Sequence, residues 1–488
     1  MTVNDSAHVD VLILGAGLSG IGAAHHLQTD CPGKTYAILE AREAIGGTWD
    51  LFRYPGVRSD SDMYTLGYAF RPWTEAKAIA DGPSILNYIQ DTAREGGIEG
   101  QISFGHKVEQ VEWSTAEARW TVSGTAGGEP FTRTASFVYF CTGYYDYDQG
   151  YSPDFPGVLD FQGEVVHPQH WPEELDYAGK RVVIIGSGAT AVTLVPSMAE
   201  TAEHVTMLQR SPTYITALPS KDPLARPVSR LLPRKAAYAV MRWKAVLIQL
   251  GSYQLSRRKP DFMRKVFTFG VKRSLPAGFA IDPHFTPTYD PWDQRLCLVP
   301  DGDLFAAISR GKASVVTDRI ETFTATGLRL ESGAELAADV VVTATGLNLK
   351  ALGGAKLSVD GTKVTLGEVL TYKGMMFSGI PNLALAVGYT NASWTLKVDL
   401  ASSYICRLLN HMDAHGYVSC TPHHPDPSSQ AEPFLNLASG YVLRSIDEFP
   451  KQGSRAPWKV YQSYLRDLLI MRYGKLDDGA MTFQDRAA

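Results

Sequence analysis

The segment V-D-V-L-I-L-G-A-G-L-S-G, residues 9–20, decides the fold, because it reads as a buried strand, a glycine turn and the start of a helix. In such a turn the first glycine permits the sharp bend, the second lets the backbone approach a pyrophosphate, and the third allows close packing of helix on strand. Glu40 ends the next apolar run, where a carboxylate can hydrogen-bond ribose hydroxyls. A tight turn without a ligand is the alternative. The pattern predicts dinucleotide contacts from Gly15, Gly17, Ser19, Gly20 and Glu40.

The same pattern recurs at residues 181–191, R-V-V-I-I-G-S-G-A-T-A, with alanine at the third glycine position, which governs only packing. Arg210 ends the following strand-like run, where the first unit has an acidic residue. A guanidinium at this position suits a 2′-phosphate and favours NADPH over NADH, whereas a surface arginine without a ligand is the alternative. We expect NADP contacts from Gly186, Ser187, Gly188, Ala189, Thr190, Arg210 and Ser211.

The segment G-G-T-W, residues 46–49, narrows the ligand of the first unit to a flavin, because flavoproteins fold such a segment back over the isoalloxazine. No cysteine lies between Cys31 and Cys141, so the dithiol of a disulfide reductase is missing from this neighbourhood. We therefore expect FAD in the first unit, with Gly47, Thr48 and Trp49 among its contacts.

The chain of 488 residues is too long for one ordinary hydrophobic core. The two glycine turns indicate that it is divided into two domains. We predict an α/β chain with two Rossmann-like dinucleotide-binding domains and a helical insertion in the second. Residues 1–145 and 340–488 are expected to form the FAD-binding domain, and residues 146–339 the NADP-binding domain. The insertion is expected at about residues 218–285.

The charge distribution is uneven. The chain as a whole has a formal charge of −5, which gives no general attraction to nucleic acid. Residues 221–275, in contrast, contain 14 lysines and arginines against two aspartates, a local charge of +12. Two interpretations remain open for this segment: a solvated helical surface with cationic stems lying over apolar residues, or loose adsorption to an anionic membrane surface.

The five cysteines are scattered and form no C-x-x-C pair, which favours a reducing cytosol and gives no reason to expect a metal. No apolar run reaches the length of about 18 residues that a membrane-spanning helix needs. The N-terminal apolar run lacks a basic flank and leads directly into the glycine turn, which disfavours a signal peptide. We expect a cytoplasmic protein, with peripheral membrane attachment as the open alternative.

Between the two glycine turns, residues 161–172 read F-Q-G-E-V-V-H-P-Q-H-W-P. The spacing F-x-G-x-x-x-H-x-x-x-W-P resembles the fingerprint of the Baeyer–Villiger monooxygenases; the related N- and S-oxygenating enzymes usually have Tyr or Phe in place of the tryptophan. Taken singly, the aromatic residues could be packing residues, and two histidines without a third ligand do not make a zinc site. The fingerprint positions are Phe161, Gly163, His167, Trp171 and Pro172.

Residues 49–66, 291–300 and 388–397 extend the resemblance over nearly the whole chain, and they are similar to the ethionamide-activating members of that family. The resemblance implies that Arg295 is the active-site arginine and that Asp60 is its carboxylate partner beside the flavin. It places Arg58 and Ser59 near the nicotinamide and Val108 at the FAD adenine. Many relatives have a lysine for the 2′-phosphate where this chain has Gln294, so we expect a smaller NADPH preference that depends more on Arg210.

The activity implied by the resemblance is insertion of one oxygen of O₂ next to a ketone carbonyl, through a C4a-peroxyflavin, to give an ester or lactone. Oxygenation of sulfides or thioamides is implied as a second activity. Arg295 would stabilise the developing negative charge, and His167 is expected to be a structural or conformational residue rather than a general base. A heteroatom-oxygenating flavin monooxygenase and a flavoprotein that only binds nucleotide are the alternatives. The physiological substrate and the oligomeric state stay open.

Overall fold

A computed structural model describes residues 8–294, 296–424, 431–435 and 439–485. A mixed nine-stranded sheet and a parallel five-stranded sheet form the centres of two domains, and helices pack against them. The α-helices are Leu18–Asp30, Thr48–Leu51, Met63–Leu66, Gly82–Glu95, Ala189–Met198, Ala225–Leu231, Arg234–Arg258, Pro260–Ser274, Asp303–Ser309, Trp394–His415, Gly440–Leu443 and Tyr464–Tyr473.

The first sheet has a parallel half and a half that is mainly antiparallel. Strands that are buried on both faces read as continuous apolar runs, and residues 11–14, V-L-I-L, are fully covered. The parallel half has the order Ile102–Ser103, Tyr36–Leu39, His8–Leu14, Glu129–Phe140 and Leu383–Leu385. From Glu129–Phe140 the sheet continues by antiparallel pairing through Arg119–Ala126 to His106–Ser114. Lys356–Val359 then pairs parallel with His106–Ser114 and antiparallel with Thr362–Lys363.

The second sheet is parallel throughout. Its order is Ala313–Thr317, His204–Gln209, Arg181–Ile185, Val340–Thr343 and Glu164–Val166. This corrects the expected domain boundary at residue 340, because the buried V-V-V-T strand pairs with the strand of the second glycine turn. The antiparallel pair Tyr145–Gly150 and Leu347–Leu349 lies where the chain passes between the domains in each direction.

The smaller sheets complete the two domains and the tail. They pair Ile215–Leu218 with Cys297–Pro300, Thr371–Tyr372 with Met376–Phe377, Tyr417–Pro422 with Met481–Asp485, and Glu432–Pro433 with Lys451–Gln452, and they include the three strands Ile320–Thr324, Gly327–Leu330 and Glu335–Ala337.

The basic segment of the second unit is helical, as the sequence predicts, with helices Ala225–Leu231, Arg234–Arg258 and Pro260–Ser274. Helix Arg234–Arg258 packs on the first domain, whereas helix Pro260–Ser274 packs on the second. The buried Arg242 guanidinium donates to the backbone oxygens of Tyr64 at 2.7 Å and Gly67 at 2.8 Å, so the cation replaces its hydration with fixed acceptors. Within the described ranges, no helix combines the length and the hydropathy that crossing a bilayer requires.

Candidate active site

A cavity of about 520 Å³ lies between the two glycine turns, a size typical of a ligand site. The first glycine turn, the beginning of the helix after the second turn and the segment after Glu40 form its walls. Of the residues predicted from the sequence, the cavity brings together Gly15, Gly17, Ser19, Glu40, Gly47, Thr48, Trp49, Arg58, Ser59, Asp60, Val108, Ala189 and Thr190.

The first turn has the geometry that only glycine permits. Gly15 has a φ of +106°, and a Cβ there would lie 2.7 Å from the Cys141 carbonyl oxygen. A Cβ on Gly20 would lie 1.9 Å from the Gly15 oxygen, so Gly20 serves helix packing and does not face the cavity. Helix Leu18–Asp30 begins at this turn without a side-chain cap, and its amide groups can therefore receive an anion from the cavity.

Glu40 holds the first turn together. Its carboxylate accepts the Ala16 N–H at 2.6 Å and the Arg42 N–H at 2.9 Å. Burial raises the pKa of Glu40, although these two hydrogen bonds and the Arg42 charge favour the ionised form. Each carboxylate oxygen keeps acceptor capacity, so Glu40 can fix the turn and still receive ribose hydroxyls.

The G-G-T-W segment packs directly on the first turn. A Cβ on Gly47, which has a φ of +56°, would lie 3.1 Å from the Gly17 Cα, so the two backbones meet without side chains between them. The Thr48 hydroxyl lies 3.1 Å from the Tyr147 hydroxyl. Trp49 extends along the cavity wall. This arrangement fits a flat ring system held between backbone and aromatic groups.

The second turn repeats the first. Gly186 has a φ of +136°, and a Cβ there would lie 2.4 Å from the Ala344 oxygen. Helix Ala189–Met198 begins after Gly188 without a side-chain cap. The buried Tyr54 hydroxyl hydrogen-bonds Thr190, and burial raises the pKa of Tyr54 to about 12. A second anion-binding helix N-terminus therefore faces the same cavity.

The other predicted NADP contacts lie outside the cavity wall. The Ser187 hydroxyl donates to the Ser211 backbone oxygen at 3.1 Å, which joins the second turn to the segment after strand His204–Gln209. Arg210 in that segment is exposed, and it takes part in none of the ion pairs between described residues. Its guanidinium is therefore available to a phosphate beside the second turn. Gly186 and Gly188 have no side chains, so they could contact a ligand only through the backbone of the turn.

Asp303 is a functional neighbour that sequence reasoning missed. The Arg58 guanidinium forms an ion pair with it, with the second contact at 3.4 Å, and this links the first domain to helix Asp303–Ser309 of the second. Ser59 is buried, and its hydroxyl accepts the Ser61 N–H at 2.9 Å. Asp60 lines the cavity beside them. No sequence signal joins positions 58 and 303.

Arg295 lies outside the described residues, so its predicted pairing with Asp60 stays a prediction. The chain on both sides of it is placed. Leu298, three residues later, lines the cavity. Before it, Asp293 accepts from Arg257 at 2.5 Å and Asp290 pairs with Arg264, while Trp292 and Tyr253 make an edge-to-face ring contact at 5.6 Å. The helical insertion thus tethers the loop that leads to this position.

The fingerprint residues do not line the cavity; they lie where the chain passes between the domains. A Cβ on Gly163 would lie 2.3 Å from the Asp339 oxygen, and Phe161 is buried against Phe323. His167 Nδ1 accepts the Gln169 N–H at 3.2 Å, and Nε2 lies 3.3 Å from the Gly346 oxygen. Burial lowers the pKa of His167, which keeps the imidazole neutral in this arrangement.

The end of the fingerprint is more exposed. Trp171 is half-buried and contacts Tyr177 with ring centroids 6.4 Å apart, whereas Pro172 is exposed. Gln169, two residues before Trp171, is buried and donates to the Asp146 backbone oxygen at 2.8 Å. The geometry places these residues at the domain crossing, and the structural or conformational role of His167 stays a prediction.

A buried ion pair behind the cavity was also missed. Lys397 Nζ lies 2.6 Å from Asp467 Oδ2, and both side chains are almost fully covered. The Tyr389 hydroxyl donates to the same oxygen at 2.7 Å, and Tyr389 lines the cavity. Trp394 also lines it and donates to the Ser19 hydroxyl at 2.8 Å, whereas Asn391 donates to the Gln462 oxygen instead. In the described part of the chain, no cluster of three or more His, Cys, Asp or Glu side chains could hold a metal ion.

Comparisons with known proteins agree with the geometry. A family model described as flavin-binding monooxygenase-like matches residues 77–246, and one for an NAD(P)-binding Rossmann-like domain matches residues 13–79. The FAD-containing monooxygenase EthA of Mycobacterium tuberculosis H37Rv is 57% identical to this chain over 482 residues, which cover 99% of both chains.

Solved structures share the fold. A steroid monooxygenase bound to NADP superposes with a TM-score of 0.78 at 22% identity, over 98% of this chain and 100% of that one. Cyclohexanone monooxygenase from Rhodococcus sp. Phi1 bound to NADP⁺ gives a TM-score of 0.77 at 20% identity, over 99% and 100%. The predicted α/β architecture is confirmed.

Proposed function

The chain belongs to the family of FAD-containing monooxygenases, and from this premise we propose that it is a flavin-dependent, NADPH-consuming Baeyer–Villiger monooxygenase. It would insert one oxygen of O₂ next to a ketone carbonyl to give an ester or lactone. The observation that carries the proposal is the single cavity onto which both glycine turns open, because it brings two dinucleotide sites together. The fingerprint at the domain crossing supports this reaction type.

The first turn and its neighbours fit FAD. The pyrophosphate would lie against the amides at Gly17 and Ser19, the ribose at Glu40, the adenine beside Val108, and the ring system against Gly47, Thr48 and Trp49. Gly15 and Gly47 support this assignment. A Cβ on Gly15 would collide with the Cys141 oxygen and one on Gly47 would crowd the Gly17 Cα, so these backbone segments could not lie so close together. When bound, FAD supplies the activation of O₂ with electrons from NADPH.

The second turn fits NADPH. The amides at Ala189 and Thr190 would receive its pyrophosphate, and Arg210 with Ser211 its 2′-phosphate. Arg58 and Ser59 would border the nicotinamide. The Asp303 carboxylate restrains the Arg58 side chain, which lowers the entropy that would be lost on ordering it around a ligand.

Arg295 and Asp60 are the proposed catalytic residues. An arginine stays protonated at any working pH, so it can stabilise the negative charge that develops on the substrate carbonyl oxygen in a poorly solvated cavity. Asp60, which lines the cavity, would orient the guanidinium. The proposal predicts that Arg295→Ala still binds FAD but loses ester formation by about 10²–10³-fold or more.

The reaction type is tested by mass spectrometry of the products from a methyl ketone, with NADPH and ¹⁸O₂. An ester that gains one ¹⁸O atom supports the proposal. NADPH consumption that rises with neither a ketone nor a thioether, together with absence of ester and sulfoxide, would leave only a nucleotide-binding flavoprotein. Undiminished ester formation by Arg295→Ala would overturn the assignment of Arg295 alone.

Oxygenation of sulfides or thioamides is the second proposed activity, and the resemblance of residues 49–66, 291–300 and 388–397 to the ethionamide-activating enzymes supports it. A thioether and a methyl ketone assayed in parallel separate the two chemistries: sulfoxide without ester would assign the chain to heteroatom oxygenation. Its small-molecule substrate would be a ketone or sulfur compound. A cytoplasmic location with weak membrane-surface association through residues 221–275 is proposed as well.

A further inference from the structure

The exposed apolar side chains of this protein are concentrated in one place. Among the described residues, 17 large apolar side chains are exposed, and 12 of them lie between residues 218 and 269, in the helical insertion and the turn before it. Scattered exposed apolar residues are normal on soluble proteins, but a concentration of this kind marks an interaction surface.

Helix Arg234–Arg258 carries apolar residues on two opposite faces. One face, which includes Tyr238, Met241 and Val246, is buried against the rest of the molecule. The other carries an outward stripe at spacings of three and four residues. Its members are Val240, Trp243 and Leu247, exposed by 45%, 42% and 55%. An ordinary surface helix would have polar residues along this outer stripe.

Helix Pro260–Ser274 repeats the arrangement. Met263, Phe267 and Val271 are buried at spacings of four residues. Phe262, Val266 and Phe269 form a parallel stripe on the outside, with exposed fractions of 55%, 42% and 65%. The helix packs on the core through its other face, so core packing does not account for the two phenylalanine rings on this outer stripe.

Cations surround these stripes. Ten exposed lysines and arginines of the insertion have no carboxylate within ion-pair distance among the described residues, whereas Arg257, Arg264 and Lys244 pair with aspartates. We define the cationic–apolar face as the two outer stripes together with the unpaired cations Lys221, Arg226, Arg230, Arg234, Lys235, Arg258, Lys259, Lys265, Lys272 and Arg273.

We propose that the cationic–apolar face docks on the surface of an anionic lipid bilayer, with the apolar stripes entering the interface and the lysine and arginine heads meeting lipid phosphates. Charge complementarity selects this occupant, because interfacial helices combine apolar and cationic residues in this way. A second copy of the chain fits poorly: a two-fold contact would bring the same unpaired cations against each other. The inference does not depend on the reaction, since binding is measured without turnover.

The test is sedimentation of the FAD-loaded full-length protein with vesicles of phosphatidylglycerol and phosphatidylcholine, and with phosphatidylcholine alone. We expect binding to the anionic vesicles only, weaker at high salt. The variant Arg258→Gln/Lys259→Gln/Lys265→Gln should bind about 100-fold more weakly, since each charge near the surface contributes roughly fivefold. The variant Leu247→Gln/Phe262→Gln/Phe269→Gln should bind the anionic vesicles at least about tenfold more weakly, and it should also lose the binding that persists at high salt.

The matched control is Leu159→Gln/Leu443→Gln, which removes two exposed apolar side chains, 97% and 53% accessible, outside the face. It should bind vesicles like the wild type. FAD content, melting temperature and NADPH oxidation without vesicles show that each variant is folded. Equal binding to both vesicle types, or absence of salt-sensitive binding, would overturn the proposal. So would a wild-type dimer in light scattering that the apolar variant converts to monomer, because the face would then belong to a second copy.

Discussion

Replacement of Lys397 by methionine should destabilise the protein more than any exposed ion-pair variant. The Lys397 and Asp467 side chains are only 3% and 5% exposed, and their charged atoms lie 2.6 Å apart. Methionine keeps most of the side-chain volume but leaves the Asp467 carboxylate buried without its cation. Loss of one partner from a buried pair costs about 3–5 kcal/mol of the free energy of unfolding. At about 2–3 °C per kcal/mol for a domain of this size, the melting temperature should fall by roughly 6–15 °C.

The consequence reaches the cavity, because the Tyr389 hydroxyl donates to the same carboxylate oxygen. We expect a raised KM for the organic substrate in Lys397→Met, measured at a temperature where the variant is fully folded. Melting is followed by far-UV circular dichroism and, separately, by release of flavin fluorescence.

Two controls separate the buried charge from the loss of a lysine. Lys459→Met removes the cation of an exposed pair with Glu432, whose side chains are 31% and 50% exposed, and should cost at most about 1 kcal/mol. The double variant Lys397→Met/Asp467→Leu removes both buried charges and should recover most of the lost stability. A melting temperature of Lys397→Met within 2 °C of the wild type, or no recovery in the double variant, would refute the reasoning.

Three further predictions follow from single sites. Arg210→Ala should lower kcat/KM for NADPH by about 5–30-fold, the value of a partly solvated charge-assisted contact, and leave kcat/KM for NADH nearly unchanged. An unaltered ratio of the two kcat/KM values would contradict the assignment of Arg210 to the 2′-phosphate. Gly163→Ala should lower the melting temperature through a cost of about 1–3 kcal/mol, because its Cβ would meet a backbone oxygen at 2.3 Å, whereas Gly251→Ala, in an open helical position, should not. Burial lowers the pKa of His26, but hydrogen bonds to two carboxylates outweigh it and raise that pKa to about 9. Protonated His26 therefore adds of order 3 kcal/mol to the free energy of unfolding below about pH 6.5, and this stabilisation is lost as the pH rises through 9. In His26→Gln the melting temperature should depend less on pH over that interval.

The local chemistry of the nucleotide sites could be predicted from the sequence, because it is a property of short segments. At Gly15 and Gly186 a sharp turn after a buried strand requires positive φ and close backbone approach, and only glycine satisfies both. The helical character of the basic insertion follows in the same way from its residue pattern. The domain boundary was less accessible, because an apolar run such as Val340–Thr343 fits either sheet until its pairing is known.

The sequence by itself determined the two dinucleotide turns and the helical character of the basic insertion, because these depend on contacts between residues that are near each other in the chain. Only the tertiary structure decided that Arg58 pairs with Asp303 and Lys397 with Asp467, and that the insertion turns its apolar stripes outward. A buried charge takes whichever partner packing places beside it. That choice depends on the three-dimensional arrangement of elements 70 to 245 residues apart, which no local pattern encodes.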